Sequence, residues 1–337
     1  MKTTVHRRGD QVLISGAKGW CGADKGSSVH AAQEAVMQAI GEKITYDTLL
    51  GVSGLAFRMQ IHKQAFCPSS PHSHCGYKCV ARSLQALPWE VRVFEVKAEE
   101  QDQVQEARRA VIESIDRGVP VQYGSEEDGI IVGYQRGGDE WICYHPLQER
   151  GSRTFVETKW PWGIAVFTAR KQRLPSSRDL ALGALQQGAT MARTSEAGAY
   201  FVGFKAWEEY IARLEALDHA EESTRRAAML GNAWIYECLV QYRAVAARYL
   251  RAIAREFDEP VTAYLMRAAG HYSRMSSEVL VDGERRPGAI APYPSMLRDG
   301  EGWSTKTRAD QVRRLQDALA LERQAIGEIE HALALLV

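Results

Sequence analysis

The chain has 337 residues, which is enough for two domains that each bury a hydrophobic core. Its 42 basic residues equal its 42 acidic residues, so a formal net charge of zero gives no electrostatic basis for binding nucleic acid or an anionic membrane. Six cysteines are too sparse for a disulfide-stabilised scaffold. The N-terminus lacks the apolar core of a signal peptide, and no apolar run approaches the roughly 18 residues of a membrane span, so we expect a cytoplasmic protein.

The first elements predicted are a strand, a glycine-containing loop and a helix. Gln11–Ser15 is typical of a short strand, and the loop that follows contains Cys21. Ser27 and Ser28 then offer side-chain oxygens that satisfy free N–H groups at a helix start, and apolar residues follow at spacings of three and four. Gly41 comes directly after the last of them, where a left-handed C-cap is favoured. We therefore predict a buried helix between these serines and Gly41.

The middle of the chain combines short strand patterns with one long helix. The segment Glu99–Asp116 has the spacing of an amphipathic helix. The strand candidates are β-branched or aromatic runs bounded by glycine, proline or aspartate: Val91–Val96, Val119–Tyr123, Gly129–Tyr134, Glu140–Tyr144 and Gly163–Ala169. An antiparallel sheet beside a helix-rich part indicates an α+β domain.

Strand signals end near Leu174, and the rest of the chain has helical periodicity. The predicted helices cover approximately residues 178–190, 198–217, 223–257, 260–280 and 306–336, with a loop that includes Gly283, Pro287 and Gly288 before the last one. We therefore predict two domains, an α+β domain over residues 1–172 and an all-α helical bundle over residues 173–337. Paired strands are not expected within residues 177–337.

Three runs of sequence resemble a known bacterial family. They are GEKITYDTLLGVSGLAF, CPSSPHSHCG and VPVQYGSEEDGIIVGYQRGGDEWICYHP. The family is related to the N-terminal domain of the butirosin-biosynthesis acyltransferase, which is similar to the papain-like peptidases that process bacteriocin leaders. The resemblance covers about residues 10–170 and implies a papain-like α+β core, with a helical C-terminal part in many members. It also implies a catalytic cysteine at the start of the first long helix, a histidine opening the strand before a V-G-Y motif, and an Asp or Asn before a proline.

The chain departs from the family pattern at all three catalytic positions. Ser27 occupies the position of the nucleophile, with Ser28 beside it. Glu127 occupies the position of the histidine, or Asp128 if the register slips by one residue, and His145 stands before the proline. The candidate catalytic residues are therefore Ser27, Glu127 and His145, and the candidate substrate-binding residues are Ser28 and Asp128. On the family fold Glu127 would lie between the serine and the imidazole.

Two interpretations of these residues compete. In the first, the papain-like scaffold has lost its peptidase chemistry and keeps the cleft for ligand binding. In the second, serine, carboxylate and imidazole form a rearranged triad for acyl transfer or amide hydrolysis on a small-molecule or carrier-bound acyl group. Cys21 is an alternative nucleophile, because two nearby lysines would favour its thiolate. Whether the domain is an enzyme therefore stays open.

A second cluster of chemically active residues lies in a turn-rich loop. Its members are Cys67, His72, His74, Cys75 and Cys79. Thiolates and imidazoles suit Zn²⁺, but the C-x7-C-x3-C spacing is not a usual zinc pattern. We therefore predict no structural metal, while a metal-binding protein remains an alternative. No cofactor is expected. The expected partner is a small-molecule or acyl-carrier substrate, and a homo-oligomer stays open.

Overall fold

The computed structural model describes residues 3–22, 24–147, 153–281, 289–297 and 303–336. The strands are β1 (Thr4–Arg8), β2 (Gln11–Ser15), β3 (Gln60–His62), β4 (Trp89–Phe94), β5 (Val121–Gly124), β6 (Asp128–Gln135), β7 (Glu140–Tyr144), β8 (Phe155–Glu157), β9 (Gly163–Arg170), β10 (Glu196–Ala197) and β11 (Tyr200–Val202). The α-helices are α1 (Ser28–Ala39), α2 (Tyr46–Val52), α3 (Val80–Ala86), α4 (Gln101–Asp116), α5 (Ser177–Arg193), α6 (Gly203–Ala216), α7 (Glu222–Ala254), α8 (Val261–Arg274) and α9 (Thr305–Ala334). Within these described ranges, every helix is too short or too polar to cross a membrane. The predicted loop residues Gly283, Pro287 and Gly288 lie outside them.

The chain forms two compact units, and each is made of two separate stretches of sequence. Unit 1 contains residues 1–49 and 83–174, and unit 2 contains residues 50–82 and 175–337. The last boundary lies close to the predicted one, but residues 50–82 pack with unit 2 rather than within a continuous domain over residues 1–172. Gly51 shows why, since a Cβ atom there would lie 2.2 Å from the Tyr249 ring of α7. The apolar run that begins unit 2 is therefore fitted against a helix.

Unit 1 is built on an eight-stranded antiparallel sheet, which agrees with the predicted α+β class. The strand order is β1-β2-β6-β5-β9-β4, and β7 pairs with both β6 and β8. Helix α4 buries its apolar face, which includes Val104, Ala107 and Val111, in the core of this sheet. Helix α1 packs against β5 and β6. Strands β2 and β7 have the predicted bounds.

Helix α1 confirms one predicted cap and not the other. It begins at Ser28, with Ser27 as the N-cap residue, but no hydrogen bond from a helix N–H reaches the Ser27 side chain. The expected serine cap is therefore wrong, because the Ser27 hydroxyl is bonded to another side chain described below. At the other end, Gly41 has a φ of 92° and donates its N–H to the carbonyl of Gln38 over 3.1 Å. The left-handed C-cap is confirmed.

Unit 2 is mainly helical but also contains a small sheet, so the all-α prediction is wrong. Strand β11 pairs with β10 and, on its other side, with β3 from residues 50–82. The predicted helix over residues 198–217 thus begins only at Gly203. Gly198 has a φ of 57°, which suits the turn between β10 and β11, and β11 itself is aromatic and β-branched.

The interior of unit 2 contains a buried ion pair between α7 and α9. Arg243 Nε donates to Glu322 Oε2 over 2.7 Å, and Arg243 Nη2 donates to Glu322 Oε1 over 2.9 Å. The two side chains are 0 % and 2 % exposed. Arg243 Nη1 also donates to the carbonyls of Ala56 and Arg58, at 2.9 and 3.2 Å. Burial raises the pKa of the Glu322 carboxyl, and the Arg243 charge opposes this rise.

This pair gives a test of the core of unit 2. Replacing Arg243 by Met should lower the free energy of unfolding by about 3–5 kcal/mol, because Glu322 would remain buried without its cation. The double variant Arg243→Met/Glu322→Leu should lose less than the two single variants together. Urea unfolding followed by circular dichroism measures both values.

The matched control is the exposed pair of Arg193 with Glu330, which has the same bidentate geometry at 2.9 and 2.8 Å. Its Arg193→Met variant should cost only about 0–1 kcal/mol, because solvent screens an exposed pair. Equal losses from Arg193→Met and Arg243→Met would contradict the role given to the buried pair.

Candidate functional site

The N-terminus of α1 meets the first residue of β6 through the hydroxyl of Ser28. Ser28 Oγ donates to Glu127 Oε2 over 2.5 Å and accepts the backbone N–H of Asp128 over 3.0 Å. Ser28 is 3 % exposed. Its hydroxyl thus has both a carboxylate acceptor and an amide donor, and it is closed off from solvent.

The hydroxyl of Ser27 faces a different partner. Ser27 Oγ lies 2.7 Å from His30 Nδ1, one turn further along α1, and both residues are buried. The backbone N–H of Ser27 donates to the phenol oxygen of Tyr46 over 3.1 Å. Ser27 therefore contacts a histidine, but that histidine is His30 and not the predicted His145.

The two carboxyl groups at the start of β6 are shifted towards their neutral forms. Burial raises the pKa of Asp128 to about 7, a hydrogen bond from Gln122 opposes the rise, and the charge of Glu127 adds to it. Gln122 Nε2 donates to Asp128 Oδ2 over 2.5 Å. Burial also raises the pKa of Glu127, against the hydrogen bond from Ser28. The Asp128 carboxyl therefore exchanges its proton near neutral pH.

His145 lies on the far side of Glu127 and is neutral. Its Nε2 is 3.1 Å from the carbonyl oxygen of Glu127, and its Nδ1 accepts the backbone N–H of Leu147 over 3.3 Å. A carbonyl can only accept and Nδ1 here accepts, so the proton is assigned to Nε2. Burial also lowers the pKa of His145, against the hydrogen bond to Glu127. Glu127 thus stands between Ser28 and the imidazole.

The loop that carries Cys21 reaches the end of β7. The N–H of Gly22 donates to the carbonyl of Pro146 over 3.4 Å. The backbone carbonyl of Cys21 accepts the N–H of Asp24 over 3.1 Å. Cys21 is a free thiol of intermediate exposure. Gly22, the residue after the alternative nucleophile Cys21, therefore contacts Pro146, the residue after His145.

A cavity of about 280 Å³ opens beside His145, and we call it the His145 cavity. Trp141 and Cys143 of β7 and His145, directly after this strand, line it at alternate positions, as the two-residue repeat of a strand requires. Its other lining residues are Tyr123, Ser125, Glu126, Ile131, Phe155, Glu157, Lys159, Trp160, Pro161 and Trp162. Ser27, Ser28 and Glu127 are not among its lining residues, so the cleft predicted to join Ser27, Glu127 and His145 stays a prediction.

The loop of the Cys/His cluster, residues 67–79, is organised by two side chains of unit 2. Arg58 is buried, and its guanidinium donates to the carbonyl oxygens of Ser70, Pro71, His72, Cys75 and Tyr77. Gln60 Nε2 donates to the carbonyls of Ser70 and Cys75 as well, over 2.9 and 3.1 Å. Within the part of the chain that the structure describes, no three His, Cys, Asp or Glu side chains converge as metal ligands.

Two partners at the helix start were missed from the sequence. His30 was assigned a structural role, although the third helical position lies over an N-cap residue and can reach its side chain. Gln122 was only part of a strand, yet the tight turn between β5 and β6 places it beside Asp128. In both cases the two partners lie within six residues of each other in the sequence. Trp160 and Trp162, on either side of Pro161, line the His145 cavity.

The raised pKa of Asp128 predicts how stability depends on pH. The folded state holds the Asp128 proton up to about pH 7, whereas an unfolded aspartate releases it near 3.8. The contribution is therefore complete below pH 3.8 and is lost as pH rises to about 7, by about 1.4 kcal/mol per pH unit in that window. Urea unfolding at pH 5 and pH 7.5 should show this loss in the wild type and a smaller one in Asp128→Asn.

The control for this measurement is Asp102→Asn, at an exposed carboxylate in the first turn of α4. It should keep the wild-type pH dependence. An unchanged pH dependence in Asp128→Asn would show that the carboxyl is already ionised in the folded state.

The prediction that the Cys/His cluster holds no structural metal can be tested separately. Protein purified without chelator should contain far less than one equivalent of zinc, because the cysteine spacing is unusual and Arg58 already binds the loop backbone. Elemental analysis decides it. One equivalent of zinc that disappears in Cys67→Ser/Cys75→Ser would prove the prediction wrong.

Comparison with protein-family models and with curated proteins identifies no relative of this chain. No protein-family model matches the chain, and no curated protein matches it. Functional inference therefore depends on the geometry at the start of α1 and in the His145 cavity.

Proposed function

We propose that unit 1 is a papain-like domain that has lost peptidase chemistry and binds a small molecule in the His145 cavity. The observation that carries this proposal is the state of the Ser28 hydroxyl. It is 3 % exposed, donates to the Glu127 carboxylate and accepts the N–H of Asp128. A serine nucleophile needs access to its substrate as well as a general base, and a hydroxyl that is buried with both bonds used lacks that access.

The papain-like assignment is supported by which elements meet. The start of the long helix α1 contacts the first residue of β6, and β6 contains the V-G-Y motif at residues 132–134. These are the elements that carry the nucleophile and the histidine in the family that the sequence resembles. At the strand position Asp128 replaces the histidine, which corresponds to the register slipped by one residue. A carboxyl is neutral or negative and never a cation, so Asp128 cannot stabilise a thiolate as the imidazolium of a papain-like site does.

The binding role is supported by the contrast between the two places. The helix start is closed, whereas the His145 cavity is open and combines aromatic walls with a few polar groups. Ligand sites in proteins usually have this composition. Its volume of about 280 Å³ lies near the lower end of the range of about 300–1,000 Å³ for small-molecule sites. A small ligand is therefore the expected occupant.

A second candidate function is acyl transfer or amide hydrolysis at Ser27. The observation in its favour is the 2.7 Å contact between Ser27 Oγ and His30 Nδ1 at a helix N-terminus. In that reaction Ser27 Oγ would attack an acyl carbonyl, His30 Nδ1 would take its proton, and N–H groups of α1 would stabilise the oxyanion. Because Ser27 is 4 % exposed, the glycine-containing loop before it would have to move first.

One experiment compares the two functions. A fluorophosphonate probe should leave Ser27 and Ser28 unlabelled, with an active serine hydrolase in the same tube as the positive control. A thermal-shift screen of small aromatic and amine fragments should give ligands whose stabilising effect disappears in Trp162→Ala. Trp162 is 70 % exposed, so its replacement should not disturb folding.

Leu174→Ala is the matched control, because Leu174 is 51 % exposed and does not line the cavity. It should keep every ligand response of the wild type. Probe labelling that is lost in Ser27→Ala would favour the second function instead. Ligand responses equal in Trp162→Ala and the wild type would reject binding in the His145 cavity.

A further inference from the structure

The walls of the His145 cavity present aromatic ring faces to a ligand. Its aromatic lining residues are Tyr123, Trp141, Phe155, Trp160 and Trp162. The indole N–H of Trp160 donates to the carbonyl of Val96 over 2.9 Å, so its polar edge is already bonded. The backbone N–H of Trp162 donates to the carbonyl of Gly124 over 2.9 Å, which fixes this residue beside the end of β5. Trp160 therefore offers its π surface and not its polar edge to a ligand.

The ionised side chains around these rings are mainly acidic. Glu126 and Glu157 line the cavity, against the single ammonium of Lys159. Glu157 is held in place because its Oε1 accepts the backbone N–H groups of Thr158 and Lys159, at 2.9 and 2.8 Å. The phenol of Tyr123 stays neutral, since burial raises its pKa. The lining therefore carries an excess of negative charge.

His145 adds no positive charge to this lining. Its Nδ1 accepts the N–H of Leu147, and its Nε2 faces the carbonyl of Glu127, so both ring nitrogens are satisfied by the neutral tautomer. Its ring lies 6.3 Å from that of Tyr123 and 6.4 Å from that of Phe155, between centroids. The imidazole thus extends the aromatic wall.

Two of the rings already accept a cation from the protein itself. The guanidinium of Arg108 lies 5.7 Å from the Trp141 ring centre and 6.0 Å from that of Trp160. The charge of Arg108 is balanced by Asp139, whose Oδ1 is 2.9 Å away. The same indoles can attract a second cation from the cavity side, because the negative potential extends over both faces of a ring.

We propose that the His145 cavity binds an alkylated ammonium group, through ring faces and the two nearby carboxylates. This inference rests on the proposed function, since it names the chemistry of the ligand in that cavity. An anionic ligand would meet Glu126 and Glu157, and a neutral apolar ligand would leave the excess negative charge of the lining uncompensated, since Lys159 can balance only one of these carboxylates. A compact methylated cation satisfies the rings and the carboxylates together.

Choline and its uncharged isostere 3,3-dimethylbutan-1-ol provide the direct test. They have the same shape, so a difference in affinity reports the charge. Titration followed by tryptophan fluorescence and by NMR should show choline binding at least about tenfold more tightly than the alcohol. An N-acetyl-trimethyllysine amide, titrated in parallel, distinguishes a free small molecule from a methylated lysine side chain as the source of the same group.

Variants test the parts of the cavity separately. Trp162→Ala should weaken choline binding by about 3- to 30-fold, and Trp162→Phe by less, because phenylalanine keeps a ring face. Glu126→Gln should weaken it by about two- to fivefold, whereas Glu113→Gln, at an exposed carboxylate of α4 outside the cavity, should not. Lys159→Gln should tighten it, because a like charge is removed.

The outcomes separate this inference from the proposed function. If the alcohol binds as tightly as choline and both depend on Trp162, the cavity binds ligands but does not select cations, and the inference falls alone. If Trp162→Ala and Glu126→Gln both bind choline as tightly as the wild type does, the inference is also wrong. If neither compound nor any fragment depends on Trp162, the proposed function fails with it.

Discussion

Arg243 is the side chain on which the interior of unit 2 depends. It binds the Glu322 carboxylate at one edge and the carbonyls of Ala56 and Arg58 with its remaining donor. Arg58 in turn gives its own guanidinium to the backbone of residues 70–77. Because an arginine cannot release its proton in a protein, each buried guanidinium must find acceptors, and here they are backbone oxygens of the inserted segment. Two helices and a turn-rich loop are thereby fixed by two cations.

The elements that could be predicted from the sequence are those with a strong local pattern. The strands Gln11–Ser15 and Glu140–Tyr144 and the end of α1 at Gly41 agree with the structure. The sheet of unit 2 could not be predicted in the same way. Strand β11 has only three residues, and its main partner β3 lies far away in the sequence, so its hydrogen bonds depend on tertiary structure. The helix of the same region was easier to recognise than the strand before it.

At the candidate site the residue types were predicted and their pairing was not. Ser27 and Ser28 are adjacent, but Ser27 has an extended backbone as the N-cap residue and Ser28 is the first helical residue, so their side chains point in different directions. One therefore contacts His30 within α1, and the other contacts Glu127 across to β6. A count along the sequence is accurate to about one residue, which is too coarse to choose between these partners. His145 in turn contacts the backbone carbonyl of Glu127 and not its carboxylate.

The insertion of residues 50–82 into unit 2 has a consequence for how such a protein can evolve and be divided. The chain passes between the units after residues 49, 82 and 174. A fragment that starts at residue 173 would lack residues 50–82 of unit 2, which include Arg58 and the loop that it binds. A fragment of residues 1–172 would contain residues 50–82 without the helices of unit 2 that follow residue 174. Recombination at a single junction therefore cannot exchange either unit with another protein. An exchange that moves one unit intact needs junctions at all three of these boundaries.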